Sequence, residues 1–505
     1  MTRFLLFEDT NWLAVNKPIG ISTHGAYPGD TALQELLALH FSKTTYVCSR
    51  LDKETSGVIL FAKSPAASGR AQQLHASGFA EKRYYLLSSV DSSSVRGVLA
   101  WDCRQSLDGY PAHTHFSREK RVGDYWLYQA IITTGKKHQI RRHAAASGIP
   151  ILGDSQYGGS TAPRLYLHCH QLNWPELSEV IIAPLPASFL SGVTREQPLL
   201  ASWDRRMPLL PALGSAFRLI NRGELDIDIS IDWFAGYLCV WVYRFYEKTK
   251  LHQLVAQIAQ LYQATGWVIK QIGKNPHHNS LIKEQTIFGD FPQQIIWVQE
   301  NGLNYGVNLT TGQHVGLFLD QRDNRRRIFQ WAKGARVANL FSYTCSFSVA
   351  AAAGGAEVVF SVDSSKKYLQ WGTDNFAINN LAHGSGKFVT EDVRLWLQRQ
   401  QRKIATPNGM GFDLLICDPP TFSSTQSQGD FSVEKAWSDL AESCSAILQK
   451  NGIALFSNNH RGGNSVNYQK RLQQHFSTVN LLSPPLDFPL DTKFAEHVRQ
   501  FICYK

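Results

Sequence analysis

The sequence predicts two unlike architectures in one chain, a strand-rich α+β half followed by an α/β half on a parallel sheet. Three observations carry this. The first two hundred residues hold short β-branched and aromatic runs bounded by Gly, Pro, Asp or Ser. A stretch of Pro, Gly and small residues, MPLLPALGSA at 207–216, then interrupts the pattern. From about residue 335, apolar strands alternate with helical segments, the mark of a doubly wound sheet.

In order, the first half offers strands in WLAVNKP (12–18), GVILFAKS (57–64), KRYYLLSSV (82–90), YWLYQAIITT (125–134) and EVIIAPLP (179–186). TALQELLALHF (31–41) spaces its apolar residues by three and four, which predicts a helix. After the break, residues 225–247 again read as strands and lead into a helical LHQLVAQIAQLYQATG (251–266). VANLF, EVVFSVD, LLICDPP and IALFSN are the strands of the last part. SVAAAAGG and SDLAESCSAILQKNG are helices between them.

Composition narrows the function classes. Apolar residues make up 43% and charged residues 18% of 505, enough to fill buried cores and too ordered in pattern for a disordered or fibrous chain. Lys plus Arg exceed Asp plus Glu by 51 to 41, so the +10 charge favours a polyanion, RNA first and DNA not expected. Eight scattered cysteines form no C-x-x-C pair and read as reduced, buried thiols. The first residues lack a signal-peptide pattern, and no run nears the ~20 apolar residues of a membrane span. A cytoplasmic location and no membrane partner are expected.

SRLDKETSG at 49–57 precedes a buried strand, KRYY opens the next at 82–85, and TTGKKHQIRRH (133–143) leads to GIPILGDSQYGG (148–159) and RLYLHCHQL (164–172). Together these motifs resemble the RluA-type pseudouridine synthases over residues 5–205, in order. The resemblance implies that Asp52 is the nucleophile that frees the base of a uridine, Tyr84 the base that removes the C5 proton, and Arg141 the partner that holds Asp52 ionised. No cofactor is implied for this half. Its RNA must present a flipped nucleotide, and rRNA and tRNA both remain open. The family usually has His before Arg-Leu-Asp, where this chain has Ser49.

The second half carries a strand, tight loop, small-residue helix, second strand and terminal acid in VANLFSYTCSFSVAAAAGGAEVVFSVDSS (337–365). That order suits a nucleotide cofactor over the first strand's end, with Asp363 free to accept from ribose hydroxyls. The G-x-G-x-x-G of dinucleotide binding is absent. Asp392 follows the next strand, and Asp418-Pro419-Pro420 ends another. These features resemble class I S-adenosylmethionine methyltransferases. With ENGLNYGVNLTTGQHVGLFLDQRDNRR (300–326) and SNNHRGG, they resemble the large-subunit rRNA methyltransferases of the RlmK and RlmI type over 216–505.

The resemblance implies S-adenosylmethionine as cofactor. Ser342, Tyr343 and Thr344 approach its methionine end, Asp363 its ribose and Asp392 its adenine, while Asp320 and Arg322 help close the pocket. Asp418 faces the acceptor base. The family commonly has Gly where this chain has Cys345. Relatives that methylate carbon-5 of cytosine carry a cysteine after the fifth strand; this chain has Ser457-Asn458-Asn459-His460, which points to guanine N7, with N2 next.

The expected organisation is therefore an α+β pseudouridine synthase domain with a mixed antiparallel sheet (1–205) and a linker (206–215). A small α+β subdomain (216–300) and a Rossmann-like class I methyltransferase domain (301–505) follow. His113-x-His115, His168-x-His170 and His277-His278 have no matching carboxylate or cysteine set in sequence, so no metal is expected. The rival reading is an RNA-binding assembly factor with one or both domains silent.

Overall fold

The computed structural model describes residues 4–505 except 26–31, 42, 77–79, 191–196, 207–208, 210–212, 225–226, 274–280, 292–294, 311–313, 382–384, 426–428, 460–464 and 490–497. His277, His278 and His460 lie outside the described residues. Two compact units divide the chain, Met1–Ala212 and Leu213–Lys505.

The strands of the first unit are β1 (Leu5–Glu8), β2 (Trp12–Lys17), β3 (Tyr46–Val47), β4 (Ser56–Ala62), β5 (Glu81–Ser88), β6 (Ala100–Cys103), β7 (Thr114–Val122), β8 (Tyr125–Ile132), β9 (Leu167–Asn173) and β10 (Ile181–Ile182). Its helices are α1 (Leu33–Phe41), α2 (Pro65–Ala76), α3 (Ser92–Arg96), α4 (Gln139–Ala146), α5 (Ala187–Leu190) and α6 (Gln197–Arg206). The sheet runs β1-β2-β4-β9-β5-β8-β7-β6, with β3 on β4 and β10 on β9. Among the described residues only strands β4 and β9 pair in parallel, so the sheet is mixed. Every residue of β2 and β4 is buried, which explains their unbroken apolar runs.

Register sets the first site. Gly57 pairs with Cys169 on one side, and Cys169 with Tyr84 on the other. At φ +116 Gly57 occupies a region closed to other residues, and a Cβ there would lie 2.1 Å from the Cys169 carbonyl oxygen. That close approach brings the turn before β4, which carries Asp52, alongside Tyr84.

The second unit opens with a five-stranded sheet, β11 (Ala216–Ile220), β12 (Ile229–Phe234), β13 (Tyr237–Val242), β14 (Gly266–Gly273) and β15 (Leu281–Gly289), paired in chain order. Helix α7 (Lys248–Leu261) makes the crossover between parallel β13 and β14. A hairpin follows, β16 (Ile296–Glu300) with β17 (Leu303–Val307). Then comes a 3-10 turn, Leu319–Gln321, and helix α8 (Arg322–Trp331).

The remaining elements are β18 (Arg336–Leu340), α9 (Ser346–Ala353), β19 (Val358–Asp363), α10 (Lys366–Ile378), β20 (Gly386–Thr390), α11 (Val393–Ile404) and β21 (Phe412–Cys417). After them come β22 (Phe422–Thr425), β23 (Gly429–Ser432), α12 (Val433–Ile447), β24 (Leu448–Asn458), α13 (Ser465–Gln473), β25 (Thr478–Leu482) and β26 (Arg499–Tyr504). Seven of these strands form one sheet, β20-β19-β18-β21-β24-β26-β25, parallel except at β26. Alternation buries both faces: Leu415 and Cys417 join Trp396, Trp437 and Phe456 on one side, Leu414 and Ile416 join Ile328 and Phe347 on the other. Strand order reverses between β18 and β21, which opens a crevice at their C-terminal ends.

Candidate active sites in the two units

In the first unit, Asp52 stands with its carboxylate about one-third exposed. Arg141 Nη1 lies 3.6 Å from its Oδ2, and His138 Nε2 lies 3.8 Å from its Oδ1. Both groups come from the start of α4, where His138 takes a left-handed φ of +54. The arginine's close partner is a different acid. Its Nε and Nη2 donate to Asp154 at 2.7 Å each, and the Asp154 carboxylate is fully buried. The sequence pairing of Arg141 with Asp52 thus holds only at longer range, because Asp154 takes the bidentate face of the fork. Burial works against the guanidinium's charge, yet Asp154 outweighs it and the pKa of Arg141 is raised.

Tyr157 completes the cluster. Its hydroxyl is 2.9 Å from His138 Nδ1, and its ring lies 5.1 Å from the Arg141 guanidinium carbon. Burial lowers the pKa of His138 against the pull of Asp52. His138, Asp154 and Tyr157 were each inside the quoted motifs but had no role assigned. Beneath them, fully buried Lys17 donates to the carbonyls of Pro18, Ile21 and Lys53 at 2.9, 2.9 and 3.0 Å. Burial pulls its ammonium down to about 7, and the three bonds tie the Asp52 turn to the end of β2.

Tyr84 is buried, and burial pushes its phenol well above the ordinary value, with Cys169 and the Asp52 charge adding to the rise. A group so shifted stays protonated near neutrality. The expectation that Tyr84 removes a proton therefore meets an electrostatic obstacle; the neutral ring is suited to packing against a base.

In the second unit, Ser342–Thr344, Asp363 and Asp392 stand at or just after the C-terminal ends of β18, β19 and β20. After β18, the loop holds three non-glycine residues at positive φ within five positions: Phe341 (+57), Tyr343 (+49) and Cys345 (+62). Each such residue costs about 1 kcal/mol, so the loop is held by its surroundings. Asp363 at the end of β19 accepts from the Tyr343 N–H at 2.9 Å and the Ser365 N–H at 2.8 Å. Burial raises its pKa, and those two bonds pull it back. Ser342 N–H donates to Val362 and Thr344 Oγ1 to Gly316, while Asn375 Nδ2 donates to the Thr344 carbonyl. Cys345 is wholly buried with its sulfur turned into the core beside α10.

Asp392 caps α11, accepting from the Arg394 N–H at 2.8 Å and pairing with its guanidinium at 2.9 Å. Arg322 does not close a pocket. Its guanidinium is 1% exposed and forms a bidentate pair with Asp487 at 2.7 and 2.8 Å, because the start of α8 turns it into the interior. Asp320 lies instead where its charge bears on Asp418.

Burial lifts the Asp418 carboxyl to about 7; a Ser457 hydrogen bond opposes the shift, and Asp320 reinforces it. Thr421 Oγ1 reaches Asn459 Oδ1 at 2.5 Å, so the D-P-P and S-N-N segments converge. Cys417 is fully buried, with its thiol pushed well above the ordinary value by burial. Such a thiol is a poor nucleophile.

The histidine pairs behave differently from each other. His168 is buried on β9, and Asp102 supplies the carboxylate that His113 and His115 lack in sequence, 2.8 and 3.0 Å from their ring nitrogens. Among the described residues no group of three or more His, Cys, Asp or Glu is placed to hold a metal. No helix among them is long and apolar enough to cross a membrane.

Two family models match the chain. That of the RNA pseudouridylate synthases matches residues 11–146, and that of the S-adenosylmethionine-dependent methyltransferases residues 219–465. The ribosomal RNA large subunit methyltransferase K/L of Psychromonas ingrahamii is 30% identical over 65% of this chain and 42% of its own length. That of Hahella chejuensis is 29% identical over 70% and 49%. The chain thus spans less than half of these curated relatives. A methyltransferase structure in complex with SAH aligns with a TM-score of 0.54 at 25% identity, over 65% of this chain and 85% of that one. A Streptococcus mutans methyltransferase gives 0.52 at 26%, over the same shares. The first unit is thus similar to the RNA pseudouridylate synthases and the second to the S-adenosylmethionine-dependent methyltransferases, each family model matching less than half of the chain.

Proposed function

We propose that this chain is a bifunctional RNA modification enzyme, isomerising uridine to pseudouridine in its first unit and methylating a large-subunit rRNA base in its second. The observation that carries the first activity is Asp52 facing the Arg141 guanidinium at 3.6 Å and the His138 ring at 3.8 Å. The guanidinium orients that carboxylate as a nucleophile. Arg141, clamped by Asp154, holds that orientation, and Tyr84 serves as the neutral ring against which the freed base turns.

In the second unit the residues fit S-adenosylmethionine. Asp363 keeps lone pairs for ribose hydroxyls beyond its two backbone bonds, and the strained Phe341–Cys345 loop brings main chain to the crevice. Ser342, Tyr343 and Thr344 would hold the methionine end. Asp392 would border the adenine, though its carboxylate is largely engaged by Arg394. The bound cofactor supplies an electrophilic methyl group; the protein's task is to align the acceptor base. Support for large-subunit rRNA comes from the named relatives. Such a substrate would place the protein in the cytoplasm, where ribosomes are assembled.

Guanine N7 is the proposed acceptor. It carries a lone pair and needs no thiol, and the nearby Cys417 is buried and protonated. One observation favours exocyclic N2 as a second reading: a carboxyl near 7 at Asp418 is suited to accepting a proton from an amine. Nucleoside mass spectrometry after incubation with undermodified large-subunit rRNA tests both halves. Pseudouridine formed without S-adenosylmethionine and 7-methylguanosine formed only with it are expected. N2-methylguanosine instead would select the second reading, and no change in RNA that binds would defeat the proposal.

A further inference from the structure

Five polar side chains in the second unit form a hydrogen-bond chain that can run in only one direction. It begins at Arg327, whose Nη1 donates to Asn324 Oδ1 at 3.1 Å. Arginine has no acceptor, so the oxygen of Asn324 must face it and the amide nitrogen must face away. Asn324 Nδ2 then donates to Gln321 Oε1 at 2.8 Å. With its oxygen so engaged, Gln321 presents Nε2 to Ser457 Oγ at 2.6 Å. Ser457 accepts that bond, and the pairing of Phe456 with Cys417 on the neighbouring strand sets its hydroxyl, with its single proton, beside Asp418, whose carboxyl pKa it lowers.

Each intermediate is closed off from water: Asn324 and Ser457 are 1% exposed and Gln321 is 2%. A buried amide or hydroxyl with any other orientation would leave a donor facing a donor, so the direction is fixed by chemistry rather than by choice of rotamer. The chain links the turn before α8 to the end of β24, 136 residues apart, and ends on the acid of the D-P-P segment.

We infer that Gln321, Asn324 and Ser457 are positioning residues, which lock one oxygen of Asp418 and leave the other to accept from the base undergoing methylation. This rests on the methyltransferase reading and goes beyond it. Asp418 is then the group that meets the substrate, and the three others act through it. The arrangement favours a base offering an N–H donor, because the serine proton already satisfies the locked oxygen.

The test uses the full chain, transcribed large-subunit rRNA and S-adenosylmethionine labelled at the methyl group. Gln321→Leu and Ser457→Ala should bind S-adenosylmethionine with unchanged affinity by calorimetry, while kcat falls about tenfold, the loss of one hydrogen bond to a charged group. KM for RNA should move less than kcat. Ser457→Thr keeps the hydroxyl and should restore most of the rate. If Gln321→Leu fails to fold, the comparison of Ser457→Ala with Ser457→Thr decides the matter alone. Wild-type kcat in Gln321→Leu, or equal losses in the alanine and threonine variants, would overturn the inference and leave the enzyme reading intact. A wild-type protein that binds S-adenosylmethionine yet methylates no RNA would defeat the reading itself, and the inference with it.

Discussion

The sulfur of Cys345 occupies the space that a Cβ on Gly372 would need, 2.4 Å away, with the cysteine's own Cβ at 2.8 Å. The Cys345 side chain is therefore accommodated by a glycine one helix away, on α10. Gly372→Ala should destabilise the second unit by about 2 kcal/mol, the usual range for overpacking. Cys345→Gly in the same chain should recover most of that loss and also relieve the positive φ. Urea denaturation of the two single variants and the double variant measures the coupling; additive effects would show that the two sites do not share space.

Asp418 gives a pH signature. Its folded pKa of about 7 lies above the ordinary carboxylate value, so the folded state binds the proton more tightly than the unfolded one. That contribution is fully present below pH 4 and is lost as pH rises through 7. Asp418→Asn should flatten this part of the stability curve between pH 4 and 7, read by urea midpoints. If the carboxylate takes a proton from the acceptor, the methyl-transfer rate of the wild type should also climb through pH 7, and the asparagine variant should lose that limb.

The clamp on Arg141 should be separable from the nucleophile. Asp154→Ala leaves a half-buried guanidinium without its bidentate partner and should cost about 3 kcal/mol. Pseudouridine formation should fall with it, while methylation stays. Asp52→Ala should abolish pseudouridine with little change in melting temperature and none in methylation. Thermal unfolding alongside nucleoside analysis distinguishes the two.

Gly57→Ala should be more damaging than its size suggests. The new methyl would meet the Cys169 carbonyl oxygen at 2.1 Å in a backbone conformation closed to alanine. Loss of the β4–β9 pairing, seen as lost amide protection in both strands, is the expected result. Normal protection would mean that the strands can separate without penalty.

Much of this was readable from local pattern. The chain order of the second unit's strands and helices followed from alternating apolar runs, and Asp52, Asp363 and Asp418 stand out because each ends or precedes such a run. What the pattern could not convey is which distant groups meet. The resemblance places Arg322 at the pocket; its partner Asp487 lies 165 residues on, and only the packing of α8 selects it. The resemblance pairs Arg141 with Asp52, whereas the fold offers it Asp154 at better geometry. The single parallel pair in the first sheet depends on Gly57 meeting Cys169 over a hundred residues away, which no local spacing encodes.

The loop from Phe341 to Cys345 reaches its three left-handed positions without a glycine. A glycine-rich loop would be disordered over many conformations before binding and would surrender that freedom when a ligand arrived. Here the narrower choice available to Phe, Tyr and Cys reduces the freedom of the unfolded chain, and the bonds from Asp363, Gly316 and Asn375 hold the folded one. The ordering entropy is thus spent during folding instead of on ligand capture, which leaves the crevice preorganised.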